Sequence, residues 1–163
     1  MTRKLVRHAL ANWFNAAGIP GLDMVHPGTL PEIPWANYSS TGDHSCQAEV
    51  FVGRRPEVRL AVGGSRGGQK EITSTVRLAV YFRSTDTDWL AAQDAMDDIT
   101  EAIVLQLRGG DHSAGRPPPD GLYSVGEFAA GIVQEDAEPV ADDGGVLYGQ
   151  CTITFEVKEI IFG

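Results

Sequence analysis

Between Val76 and Ile99 the chain changes its hydrophobic period within a few residues. Val76, Leu78, Val80 and Phe82 alternate with Arg77, Ala79 and Tyr81, the period of two that marks a strand with one buried face. After a short polar turn, Trp89, Ala92, Met96, Ile99, Ile103 and Leu107 follow helical spacing, and Asp94, Asp97, Asp98 and Glu101 collect on the opposite side. Asp86 or Thr87 is the expected cap of this helix, and Gly109 and Gly110 stop it after about Arg108.

The same reasoning divides the rest of the chain. Leu5, Val6, Ala9, Leu10, Trp13, Phe14 and Ala17 form one apolar stripe on a first helix, which Thr2 caps and Gly18 ends. From 19 to 45, Pro20, Pro27, Pro31 and Pro34 rule out a regular helix, yet Leu22, Met24, Val25, Leu30, Ile33, Trp35 and Tyr38 are too apolar for a free linker. That segment is predicted to be an ordered arm pinned to the core or to a neighbour. Strands are expected at Cys46–Val52, Glu57–Val62, Glu71–Arg83, Leu122–Val133 and Leu147–Ile161, with Gly53–Pro56 as a turn. The acidic run 134–145 reads as a mobile loop. In the last strand Cys151, Ile153, Phe155 and Val157 face one way, and Thr152, Thr154, Glu156 and Lys158 the other. This order predicts an α+β fold, a mainly antiparallel sheet of about five strands with two helices packed on one face.

Composition narrows the classes. A chain of 163 residues at 42% hydrophobic content supports one core, so a single domain, 1–163, is expected. The formal charge of −9, from 22 acidic and 13 basic residues, argues against a nonspecific grip on nucleic acid, which needs clustered Lys and Arg. No stretch approaches the ~20 apolar residues of a membrane span, and the first residues lack the apolar run of a secretion signal. A soluble, unprocessed chain is the expectation. Cys46 and Cys151 are too few for a disulfide framework and read as reduced core thiols, with a disulfide between them as the alternative.

Few patterns carry chemistry. Paired carboxylates do acid/base work only where burial or a neighbouring charge separates their pKa values, so the Asp94, Asp97, Asp98 and Glu101 stripe predicts a water-facing surface instead. GGSRGGQK, Gly63 to Lys70, is glycine-rich like a phosphate loop, but Glu71 stands where Ser or Thr must follow the Lys, and a strand follows instead of a helix. It reads as a hairpin tip, with Arg66 and Lys70 making it a contact finger. His44 and Cys46 are too few for zinc, His8, His26 and His112 lie in unrelated elements, and the His112–Ser113 pair has nothing to orient its imidazole. No catalytic, cofactor or metal site is expected. A small enzyme or ligand-binding domain, using a cleft between the sheet and the Pro-rich segment around Trp35 and Tyr38, is the alternative from another class.

The segment Asp23 to Tyr38 carries Val25, Pro27, Leu30, Pro31, Pro34 and Tyr38 in the pattern V-x-P-x-x-L-P-x-x-P-x-x-x-Y after a first helix. A long strand, Val76 to Phe82, then runs into a helix bearing Ala92, Ile99, Ala102 and Ile103, and a strand through Thr152 to Val157 closes the chain. In these features and their order the sequence resembles the tail terminator (tail completion) proteins of long-tailed bacteriophages. It is longer than small members of that family in Gly115–Gly121 and Glu135–Gly145. The resemblance implies a structural virion protein at the head-proximal end of the tail, assembled in the bacterial cytoplasm. It implies a homo-oligomeric ring, a hexamer, that caps the tail tube, ends its polymerisation and joins it to a head–tail connector protein. DNA would pass through the lumen without specific binding, and Asp94, Asp97, Asp98 and Glu101 would be water-facing or lumen-facing. Leu30, Ile33, Trp35, Tyr38, Arg66 and Lys70 are the expected contacts to the next copy or partner. Another head–tail connector ring is the nearest alternative.

Overall fold

The computed structural model describes residues 1–35, 43–59, 68–108, 118–119, 121–122, 124–126 and 134–162. Helix α1 spans Arg3–Ala17; the Thr2 hydroxyl accepts from the Leu5 amide at 3.3 Å, and Gly18 ends the helix at φ 62°, both as predicted. Strands β1 (Met24–His26), β2 (His44–Val52), β3 (Glu57–Arg59) and β4 (Gln69–Ser84) precede α2 (Trp89–Leu107). Strands β5 (Ser124–Val125), β6 (Gln134–Asp143) and β7 (Val146–Phe162) follow it. The fold is α+β.

The sheet departs from the expectation in number and direction. Among the described residues seven strands follow the path β1-β2-β4-β7-β5, with β3 also on β4 and β6 also on β7, and β1 runs parallel to β2 while the other pairs are antiparallel. Two strands lie where none was expected. β1 is too short to show an alternating pattern, and its outer edge is closed by the Asn15 side chain, which donates to Val25 O at 2.9 Å and accepts from Val25 N at 2.7 Å. β6 occupies most of the predicted acidic loop 134–145, because pairing with β7 outweighs its weak strand propensity. Gly144 and Gly145, at φ 66° and 88°, make the two-residue turn between them, a conformation glycine reaches without strain. Of the strand expected at Leu122–Val133, Ser124–Val125 is β5 and 127–133 lie outside the described residues, as do 60–62 of the second strand.

The α2 cap also shifts. Asp88 is the N-cap, accepting from Leu90 N and Ala91 N at 3.0 and 3.1 Å, while the Asp86 carboxylate accepts from Asp88 N and shapes the approach. Asp88→Ala should therefore lower unfolding stability by about 1 kcal/mol in urea titration, and Thr87→Ala should leave it within about 0.5 kcal/mol.

One face of the long β4–β7 ribbon is apolar. Val76, Leu78, Val80 and Phe82 of β4 stand opposite Val52, Val50, Ala48 and Cys46 of β2 and opposite Phe155, Ile153, Cys151 and Gly149 of β7, and all are buried. Phe14 of α1 meets Phe155 edge-on at 6.3 Å, and the Met96 sulfur of α2 sits over Gly149, where any Cβ would collide with it. Side chains of both helices join the same core cluster.

A β-bulge adds a charge to that face. Val52 stands opposite Val76 and Glu57 opposite Ile72, so four residues, 53–56, face three, 73–75. Gly53 N donates to Thr75 O and Thr75 N to Arg54 O, which places the extra residue there. The inserted residue reverses the alternation. Arg55 consequently turns to the buried side, where its Nε donates to Ser74 Oγ at 3.0 Å and its guanidinium pairs with Glu159, only 2% exposed.

Candidate functional site

The open face of the sheet, opposite the helices' contacts with Phe155 and Gly149, receives the start of the Pro-rich arm. Gln47 and Glu49 point to this face because they alternate with Cys46, Ala48 and Val50, and both are buried beneath the arm. Glu49 accepts from the Leu30 amide at 2.5 Å and from the Tyr81 hydroxyl at 3.4 Å. Burial and then the Glu49 carboxylate push the Tyr81 phenol up from its ordinary value. His26 Nε2 shares a hydrogen bond with Gln47 Oε1 at 2.9 Å, and Gln47 Nε2 is buried without a partner among the described residues.

Farther along the arm, the Trp35 ring lies 6.3 Å from that of Tyr148 at 59°. These rings, with Tyr81, Glu138, Pro139 and Gln150, wall a hollow of about 240 Å³. It is smaller than the ~300–1,000 Å³ of most small-molecule sites and suits one protruding side chain.

Of the residues expected at an interface, Leu30 and Trp35 are thus engaged with the chain's own sheet. Ile33 is half-buried, and its carbonyl accepts from Trp35 N at 2.9 Å. Lys70 pairs with Glu57 at 2.6 Å near the surface, a contact of little energetic weight. Tyr38 and Arg66 lie outside the described residues. Sequence reasoning missed Gln47, Glu49, Tyr81 and Tyr148. The signal was the polar pair at i, i+2 in CQAEV, which reads as a solvated face unless something covers it.

Asp94, Asp97, Asp98 and Glu101 are all exposed. Gln93 ties their helix to β6: its Oε1 accepts from Val140 N at 3.2 Å, while its Nε2 donates to Asp97 at 2.9 Å. β6 adds exposed Glu135, Asp136, Glu138, Asp142 and Asp143, and neither element contains a Lys or Arg. Helix α1 is the reverse, with Arg3 and Lys4 exposed, Arg7 half-buried beside Gly28, and no carboxylate. Trp89, expected on the core side of α2, is 51% exposed, since the buried stripe starts one turn later at Ala92. Leu90 beside it is 69% exposed. An apolar groove of about 360 Å³ runs between Ala17–Pro20 and the Ala102, Leu105 and Gln106 side of α2.

The remaining chemical candidates have structural roles. His44 Nδ1 shares a hydrogen bond with Ser84 Oγ at 2.9 Å, and its ring stacks on Phe82. Cys46 and Cys151 are free buried thiols; burial, then the Asp23 carboxylate, pushes Cys46 far up, and burial with Glu135 pushes Cys151 up to about 11. Among the described residues no three His, Cys, Asp or Glu side chains are placed to hold a metal ion, and no helix is long and apolar enough to cross a membrane. No protein-family model matches the chain, and no curated protein matches it.

Proposed function

We propose that this chain is a structural assembly subunit, a bacteriophage tail terminator whose copies form a ring that caps the tail tube, ends its growth and meets the head–tail connector. The observation that carries the assembly reading is the Trp89–Leu90 pair. Two large apolar side chains, 51% and 69% exposed, stand together on the first turn of a helix that is capped by Asp88 and anchored to the core. Tryptophan in such a place is the kind of residue that dominates the energy of protein–protein contacts. The tail assignment rests on the resemblance in Val25 to Tyr38 and in the strand–helix junction. In this reading both helices cover one face of a stiff slab, and the α2 carboxylates line a passage that DNA crosses by repulsion.

Light scattering of the purified chain, alone and with tail-tube protein, tests it. A ring-sized species is expected under at least one condition, and Trp89→Ala with Leu90→Ser should weaken its formation about tenfold or more. A strictly monomeric chain in both conditions overturns the assembly reading.

A further inference from the structure

The register of three strands gathers aromatic and acidic groups at one spot on the open face of the sheet. Tyr81 of β4 stands opposite Gln150 of β7, and Gln150 opposite Glu138 of β6. Tyr148, two residues before Gln150, projects to the same side, and the Trp35 ring of the arm lies against it at 6.3 Å. A bulge in β6, where Pro139 and Val140 together face Gly149, brings Pro139 to the rim. The result is the hollow of about 240 Å³, and none of its walls is basic. Arg83 stands opposite Tyr148 in the register but is not one of them. Glu138 is exposed and has no ion pair among the described residues. Behind the Tyr81 ring Glu49 is only 5% exposed, and it meets the Tyr81 hydroxyl and the Leu30 amide but no Lys or Arg among the described residues.

We propose that this hollow takes the side chain of an arginine presented by a neighbouring protein subunit. The guest is a cation because aromatic faces attract one, and because the two carboxylates beside those faces have no basic partner. Arginine suits the walls better than lysine. Its planar guanidinium stacks on Trp and Tyr rings, and its fork of donors can serve a carboxylate and an amide oxygen at once, the groups that Glu138 and Gln150 bring together across the strands. The volume holds one side chain and falls short of the ~300–1,000 Å³ of most free-ligand sites. That the guest belongs to a protein rests on the assembly reading above; that it is a guanidinium rests on the hollow itself.

Three capped tripeptides test the guest: acetyl-Gly-Arg-Gly-amide, its lysine counterpart, and its citrulline counterpart, the neutral isostere of arginine. Binding is read from the backbone amide NMR shifts of Tyr148 and Gln150 in isotope-labelled protein. The arginine peptide should bind with a millimolar Kd, about tenfold more tightly than the citrulline peptide and about threefold more tightly than the lysine peptide. Glu138→Gln should weaken it about threefold and Trp35→Leu about tenfold, with circular dichroism confirming that each variant folds. Citrulline binding as tight as arginine overturns the cation, lysine binding as tight overturns the choice of arginine, and no shift at about 20 mM peptide overturns the hollow as a site. Light scattering, alone and with tail-tube protein, reads the subunit contact separately. Glu138→Lys sets a charge of the wrong sign at the rim and should weaken association about tenfold or more. Parental association by this variant overturns the guest's origin in a neighbouring subunit and leaves the peptide result standing. A parent that stays monomeric in both conditions overturns that origin together with the assembly reading, and the peptide titration still decides the hollow.

Discussion

Arg55→Met will unfold at a stability about 3 kcal/mol below that of the parent, within the ~3–5 kcal/mol seen when one partner of a buried ion pair is removed. The loss comes from what stays behind. Glu159 is 2% exposed on the apolar face, and its other ionic partner is the amino group of Met1; without the guanidinium it keeps that contact alone. Arg55 also donates to Ser74 Oγ at 3.0 Å and to the Met1 carbonyl at 2.8 Å, so both acceptors lose their donor. Arg55→Met combined with Glu159→Met should recover most of the difference, since a matched apolar pair needs no solvation. Urea titration of the three proteins measures this. A single variant within about 1 kcal/mol of the parent would show that Glu159 is not held by Arg55.

Gly126→Ala should lower the stability by a similar amount, roughly 3 kcal/mol, and the melting temperature by about 10 °C for a chain of this size. Gly126 has φ 71°, where a side chain adds ~1–2 kcal/mol of strain. An added Cβ would also lie 2.4 Å from the Leu107 carbonyl oxygen and 3.0 Å from its carbon. Those atoms belong to the backbone at the end of α2, which cannot rotate away as a side chain can. Relief by sliding is opposed by the hydrogen bond from Gly126 N to Glu156 O at 2.9 Å. A thermal melt within two degrees of the parent would refute the close approach. Gly149→Ala is the contrasting case, because the atoms nearest its Cβ are the sulfur and methyl of Met96 and a Val140 methyl, side-chain ends instead of backbone. Met96 can change rotamer, so the loss should be much smaller there.

The buried faces of the long elements were legible in the sequence. Alternation along Val76–Phe82 and Cys151–Val157, and helical spacing at Val6, Leu10 and Phe14, name residues that are all buried. The acidic stripe on α2 was legible for the same reason, but Glu159, two residues beyond Val157 on the same face of β7, was not singled out. Its partner was not legible. GRRP reads as a turn, and only pairing with β4 reveals that the extra residue sends Arg55 inward. The burial of Gln47 and Glu49 was hidden as well, because alternation tells which face a residue points to and not what covers that face.

Periodicity is a local property, dictated by backbone geometry at each residue, and so the chain alone determined its two helices, its long strands and the side of each that leaves water. Which strands become neighbours depends on contacts between residues far apart in sequence. The tertiary structure therefore decided the parallel pairing of β1, the recruitment of an acidic segment as strand β6, and the folding of the Pro-rich arm onto Glu49 and Tyr148.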